Sequence, residues 1–141
     1  MTIADLHIKL KEKGINEDKY FLHGMFGSTD DNEKLSLKIK KGEFTVEYET
    51  YFKECGEKHS IRTFYSEQEA CEYIYKKLTN EQTYSRIQNI EGLLGMTVNE
   101  RLYLSGLMHE FDKVKVTNKS RAKEILRWLK VDENSIEKIV K

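Results

Sequence analysis

Apolar positions recur along this chain with two different periods, and the change between them organises the sequence. Over residues 2–13, Ile3, Leu6, Leu10 and Lys13 share one stripe, Ala4 and Ile8 lie beside it, and Gly14 follows. That spacing predicts a short amphipathic helix closed by a glycine. Tyr20–His23 is an apolar run bounded by Gly24 and predicts a strand, and 25–33 (MFGSTDDNE) reads as a polar turn. From Lys34 the period becomes two. Leu35, Leu37 and Ile39 alternate with lysines and Ser36, and after Lys41-Gly42 the residues Phe44, Val46 and Tyr48 alternate with Glu43, Thr45, Glu47 and Glu49. Alternation on both sides of a turn ending in glycine predicts a β-hairpin. With Lys41-Gly42 as its loop, Ile39 faces Phe44, Leu37 faces Val46, and Lys40 and Lys34 face Glu43 and Glu49.

Cys55-Gly56-Glu57-Lys58 reads as a second turn, of four residues, with Phe52 opposite Ile61 on the returning strand. The phase of that strand stays open, because Ile61 and Phe64 both compete for the core. Ser66-Glu67-Gln68-Glu69 then has the spacing of a capping box, with Tyr65 in the staple position. Ala70, Ile74 and Leu78 follow at helical intervals. Tyr84, Ile87 and Ile90 continue that period toward Gly92, and Thr97-Val98-Asn99-Glu100 opens a further helix with Gly106 inside it. Asn118/Ser120 starts another, bearing Ala122, Ile125, Leu126 and Leu129, and Ser135–Val140 adds a last turn or two. The expected class is α+β: an N-terminal helix, a four-stranded antiparallel meander covered by a helix, and a C-terminal helical subdomain. Residues 1–141 form one domain in this reading, with a sheet part over 1–80 and a helical part over 81–141.

Composition narrows the function classes. The 24 Lys and Arg balance the 24 Asp and Glu, and that neutrality argues against general nucleic-acid binding, which needs surplus positive charge. No apolar run is long enough to span a membrane, and no signal peptide is readable at the N-terminus. The two cysteines, Cys55 and Cys71, have neither metal nor redox spacing and suit a reducing cytoplasm. The four histidines show no metal-ligand pattern, and His109-Glu110-Phe111-Asp112 lacks the second histidine of a zinc-protease helix. Gly92–Thr97 lacks the Gly-Lys-Ser/Thr of a phosphate loop. These readings leave no catalytic residues, no cofactor and no metal, and they predict a protein that is not an enzyme.

Two charge runs remain. Lys115, Lys119, Arg121, Lys123, Arg127 and Lys130 stand against Glu124 alone between positions 115 and 130, beside Trp128. This run suits either a solvated helix face or an anion or nucleic-acid surface. The opposite run is Glu43, Glu47, Glu49, Glu54 and Glu57, partly neutralised by Lys34, Lys38 and Lys40. Glu49, Tyr51, Glu54 and Glu57 are expected together on the polar side of the sheet, toward its less neutralised end. There they form either a solvated face or a docking surface for a basic partner.

The order of elements also carries a resemblance. A helix ending Lys13-Gly14-Ile15-Asn16 precedes the strand containing Tyr20, and Tyr48–Lys58 (YETYFKECGEK) precedes Phe64–Tyr73 (FYSEQEACEY) at a helix start. Over about residues 10–80 this resembles the small bacterial immunity proteins of polymorphic toxin and contact-dependent growth inhibition systems. Cys55-Gly56 stands where that pattern has Arg-Gly or a similar turn. The resemblance implies a cytoplasmic, non-enzymatic protein that binds one cognate toxin domain one-to-one, in this case a nuclease, and occludes its active site or a surface near it. The alternative is a small nucleic-acid-associated regulator or adaptor using the basic helix around Arg121 and Trp128.

Overall fold

A computed structural model describes the whole chain, Met1–Lys141. Its residues gather into two compact units, Met1–Asn80 and Glu81–Lys141. The protein is α+β, with six helices and a five-stranded mixed sheet. None of its helices is long and apolar enough to cross a membrane.

The first unit opens with α1 (Ile3–Glu12), whose start is fixed by a reciprocal capping box between Thr2 and Asp5. Its inner stripe, Ile3, Leu6 and Leu10, is buried as the spacing requires, and Gly14 leaves the helix in the left-handed region at φ 75°. The strands are β1 (Tyr20–Leu22), β2 (Phe26–Gly27), β3 (Leu35–Lys41), β4 (Val46–Glu54) and β5 (Glu57–Phe64), in the sheet order β2-β1-β3-β4-β5. Two expectations are corrected here. The stretch read as a polar turn contains β2, which pairs antiparallel with β1. The sheet is also no meander, because β1 lies parallel to β3, with Tyr20 beside Leu35 and Leu22 beside Leu37. The chain turns back through β2 and the segment that follows it, and so enters β3 running in the direction of β1.

The hairpin loops exchange the lengths expected of them. Gly42–Thr45 is a four-residue loop closed by the Gly42 N–H donating to the Thr45 carbonyl at 2.7 Å. Lys41 therefore pairs with Val46, Ile39 with Tyr48 and Leu37 with Thr50. A two-residue loop of the types that match strand twist needs positive φ at the first or at both central positions, and neither Lys41 nor Gly42 has it. Cys55 (φ 52°) and Gly56 (φ 80°) do, so the tight turn sits there, with Glu54 opposite Glu57. The displacement at the first loop moves each partner by an even number of residues, so the two sheet faces survive. Phe44 does not reach the core: it projects from the loop, 91% exposed.

The open phase of β5 is resolved by a bulge. Phe52 pairs with His59 but Thr50 pairs with Arg62, so one extra residue is absorbed around Ser60, itself at φ 53°. Past the bulge Phe64 returns to the packed face opposite Tyr48, while Ile61 stays exposed. As the outer strand on its side, β5 is a free sheet edge, and its bulge and its cations Lys58 and Arg62 blunt it against edge-to-edge pairing.

One face of the sheet packs on α1 and on α2 (Glu67–Gln88). Leu22, Leu37, Tyr20, Ala70, Cys71, Ile74 and Leu78 join the α1 stripe in a single apolar cluster. The Cys71 thiol is buried there and pushed up to about 11 by desolvation. Ser66 accepts the Glu69 N–H at a long 3.5 Å, and Tyr65 is exposed and staples nothing.

The second unit takes Ile87 from the last turns of α2 and adds a 3-10 turn at Leu93–Gly95. It continues with α3 (Val98–Ser105), α4 (Met108–Thr117), α5 (Lys119–Trp128) and α6 (Glu133–Ile139). Thr97, Asn118 and Asp132 cap α3, α5 and α6 through side-chain oxygens. Gly106, expected inside a helix at a close helix contact, instead ends α3 in the left-handed conformation (φ 76°), and a Cβ added there would meet only the end of Arg86. The core combines Leu102, Leu107, Phe111, Ile125, Leu126, Leu129 and Ile136. Arg101 fastens the chain segments around it by donating to the carbonyls of Met96, Leu94, Leu129 and Lys130.

Candidate functional site

Strand alternation sets one row of side chains on the sheet face opposite the apolar cluster: Ser36, Lys38 and Lys40 on β3, and Glu47, Glu49, Tyr51 and Lys53 on β4. Glu49 and Tyr51, expected as exposed contact residues, are buried there, at 8% and 0% exposure. Glu49 lies beneath two lysines, with Lys40 Nζ 2.7 Å from one carboxylate oxygen and Lys58 Nζ 2.8 Å from the other. These two ammonium groups, Lys40 first, hold the Glu49 carboxyl below the usual carboxylate range. Sequence alternation had set Lys40 against Glu43. The longer loop carries it along the strand, so that it reaches Glu49 diagonally.

Tyr51 is sealed from the other side. Its hydroxyl donates to Asp31 Oδ2 at 2.6 Å, and Lys58 Nζ stands 4.4 Å over the centre of its ring. Burial first, and then the Asp31 carboxylate, drive its phenol far above the ordinary tyrosine range. Asp31 belongs to the segment between β2 and β3, which is fixed onto β4: the Glu33 N–H donates to the Lys53 carbonyl at 2.7 Å, and Lys53 Nζ lies 3.4 Å from Asp31. The Tyr51 hydroxyl, then Lys53, holds the Asp31 carboxyl low. Sequence reading missed Asp31, and the only trace of its role is the run Ser28-Thr29-Asp30-Asp31-Asn32, whose side chains suit local backbone hydrogen bonds.

Glu54 and Glu57 sit differently, which corrects the expectation that all four residues share one polar face. Alternation turns Glu54 and Glu57 to the face opposite Glu49 and Tyr51, and the two glutamates stand directly across from each other beside the Cys55-Gly56 turn. Both are exposed and neither takes part in an ion pair. The adjacent like pair, Lys53 and Lys58, is compensated by Asp31 and Glu49. Like charges directly opposite are destabilising by about 0.2–1 kcal/mol, so the hairpin tip carries the one uncompensated charge conflict of this ladder.

Glu49 is saturated by two lysines and the Tyr51 hydroxyl by Asp31, so neither is poised to move a proton. No group of His, Cys, Asp and Glu side chains converges to hold a metal ion.

Half of the basic run of the second unit is offset by carboxylates, while Lys115, Lys119 and Lys130 take part in no ion pair. Arg121 pairs with Glu110 and Glu124, Lys123 with Glu137, and Arg127 with Glu133. Trp128 packs on the core beneath the Arg121 guanidinium, 4.6 Å from its ring centre. No protein-family model, no curated protein and no solved structure matches this chain.

Proposed function

We propose that this protein neutralises a toxin domain by binding it, as the immunity proteins it resembles do, in a one-to-one complex in the cytoplasm and without catalysis of its own. The observation that carries the reading is the exposed Glu54–Glu57 pair. Opposed carboxylates on a rigid two-residue turn weaken the free protein, and a cation from a partner relieves that conflict on binding. Proteins tend to break such local rules at functional or strained sites. A nuclease domain, basic where it holds nucleic acid, supplies such cations. Glu49 and Tyr51 support the tip from within: with Lys58 and Asp31 they stiffen β4 and β5, and a preorganised surface loses less entropy on binding. The nucleic-acid alternative has less behind it, since carboxylates from α4, α5 and α6 offset the arginines of α5.

The test is calorimetry of the full chain against the toxin domain encoded beside its gene. Reversing both charges, Glu54→Lys with Glu57→Lys, is expected to weaken binding at least 30-fold and to flatten its salt dependence, with thermal stability almost unchanged because the opposed charges stay alike. Wild-type affinity in that variant, or the absence of any neighbouring toxin gene, overturns the reading.

A further inference from the structure

At the far end of β5 from the acidic tip, Arg62 lies over two aromatic rings of the first unit. Its guanidinium carbon is 4.9 Å from the centre of Tyr73 and 5.8 Å from that of Phe64, and the two rings are 5.3 Å apart. Lys77, one turn beyond Tyr73 on α2, brings its ammonium to 5.7 Å from the same tyrosine. Arg62 and Lys77 are both exposed, and Tyr73 and Phe64 are half-buried. Arg62 faces the neutral Thr50 across the ladder. The acids nearest them along α2, Glu69 and Glu72 before Tyr73 and Glu81 one turn beyond Lys77, pair with neither cation, and Glu72 instead accepts from Gln68.

Arg62 thus differs from Arg101, Arg121 and Arg127, which direct their N–H groups to carbonyls or carboxylates. The contacts with the two rings use none of the Arg62 N–H donors, so its fork stays open to a planar, two-oxygen acceptor. Arginine and tyrosine are also among the side chains in which binding energy concentrates at protein interfaces.

We propose that Arg62, Tyr73 and Lys77 form a second anchor for the protein partner, receiving a carboxylate-bearing segment of it, while the Glu54–Glu57 tip receives a cation. This inference rests on the binding role assigned above. Residues 57 and 62 are five positions apart on one strand, at most about 17 Å with the bulge at Ser60 between them, so both anchors fit within one interface of ordinary size. A protein carboxylate suits the site better than a nucleic-acid phosphate. The tip glutamates repel a phosphate backbone laid along β5, whereas a single carboxylate at Arg62 does not extend to them.

Three probes separate the possibilities in NMR titrations of the isotope-labelled full chain at low salt: hexaglutamate, hexalysine and a thymidine hexanucleotide. Hexaglutamate is expected to shift the Arg62 side-chain N–H and the Tyr73 and Phe64 ring signals saturably. Arg62→Gln should weaken that binding at least tenfold with an unchanged melting temperature. Hexalysine is expected to move Glu54–Glu57 instead. If hexaglutamate leaves Arg62 and Tyr73 unmoved, or binds Arg62→Gln equally well, the second anchor is overturned whatever hexalysine does. If hexalysine fails to move Glu54–Glu57 while hexaglutamate behaves as expected, the anchor stands and the tip assignment falls. Tighter binding of the oligonucleotide than of hexaglutamate at Arg62 overturns the protein-carboxylate assignment in favour of a nucleic-acid surface.

Discussion

The acidic run on β4 and β5 and the basic run on α5 stand out equally as charge excesses along the chain, yet folding treats them in different ways. In α5, carboxylates arrive from Glu110 on α4, from Glu133 and Glu137 on α6, and from Glu124 one turn away, so the helix ends nearly balanced. In the hairpin the acids divide. Glu49 receives two lysines and sinks beneath them, whereas Glu54 and Glu57 meet only each other. A run of like charge therefore says little about the surface it forms until the neighbours in space are known.

The division of the acids depends on the two sheet faces, so the largest expected effect tests the faces themselves. Leu37 is fully buried opposite Thr50, and Leu37→Lys, which places a charge in the apolar cluster, should cost more than about 4 kcal/mol and unfold the first unit in a denaturant titration. A mild effect would put the faces the wrong way round. Next, Glu49→Lys sets a third cation between Lys40 and Lys58 and should cost about 3 kcal/mol by the same measurement, the scale of an ion pair broken where it is largely buried. A loss below about 1 kcal/mol would mean that Glu49 is as dispensable as an exposed acid.

The acid limb of stability sharpens the same contrast. Asp31 and Glu49 are held low in the folded protein, so their contribution is fully present above the ordinary carboxylate range near pH 4 and is lost as pH falls through their lowered folded values. Asp31→Asn and Glu49→Gln should each flatten the decline in melting temperature between about pH 4 and pH 2. Smaller still, Arg121→Ala removes two part-exposed ion pairs and the stack on Trp128, and should lower the stability of the second unit by about 1 kcal/mol in urea. The smallest effect has the opposite sign. Glu57→Lys should raise stability by up to about 0.5 kcal/mol by turning the opposed glutamates into an attractive pair. A loss instead would mean that Glu57 already has a stabilising partner.

Sequence period alone determined much of this protein. Alternation from Leu35 to Phe52, helical spacing at Ile3-Leu6-Leu10 and Ala70-Ile74-Leu78, and the caps Thr97 and Asn118 specify elements through contacts a few residues apart, and those contacts are printed in the order of the chain. Face assignment survived a register displaced at the first hairpin because the period of two is indifferent to an even step. What only the tertiary structure decided has a common cause, that partners far apart in sequence leave no local trace. The parallel pairing of β1 with β3 depends on how the chain returns through β2. The burial of Tyr51 depends on Asp31, 20 positions earlier. The bulge at Ser60 decides that Phe64 rather than Ile61 turns inward, since a single extra residue inverts every side chain beyond it. The difference between Glu49 and Glu57 likewise required knowing where Lys58 lands, and the ladder places it between Glu49 and the ring of Tyr51 while the tight turn holds Glu57 against Glu54.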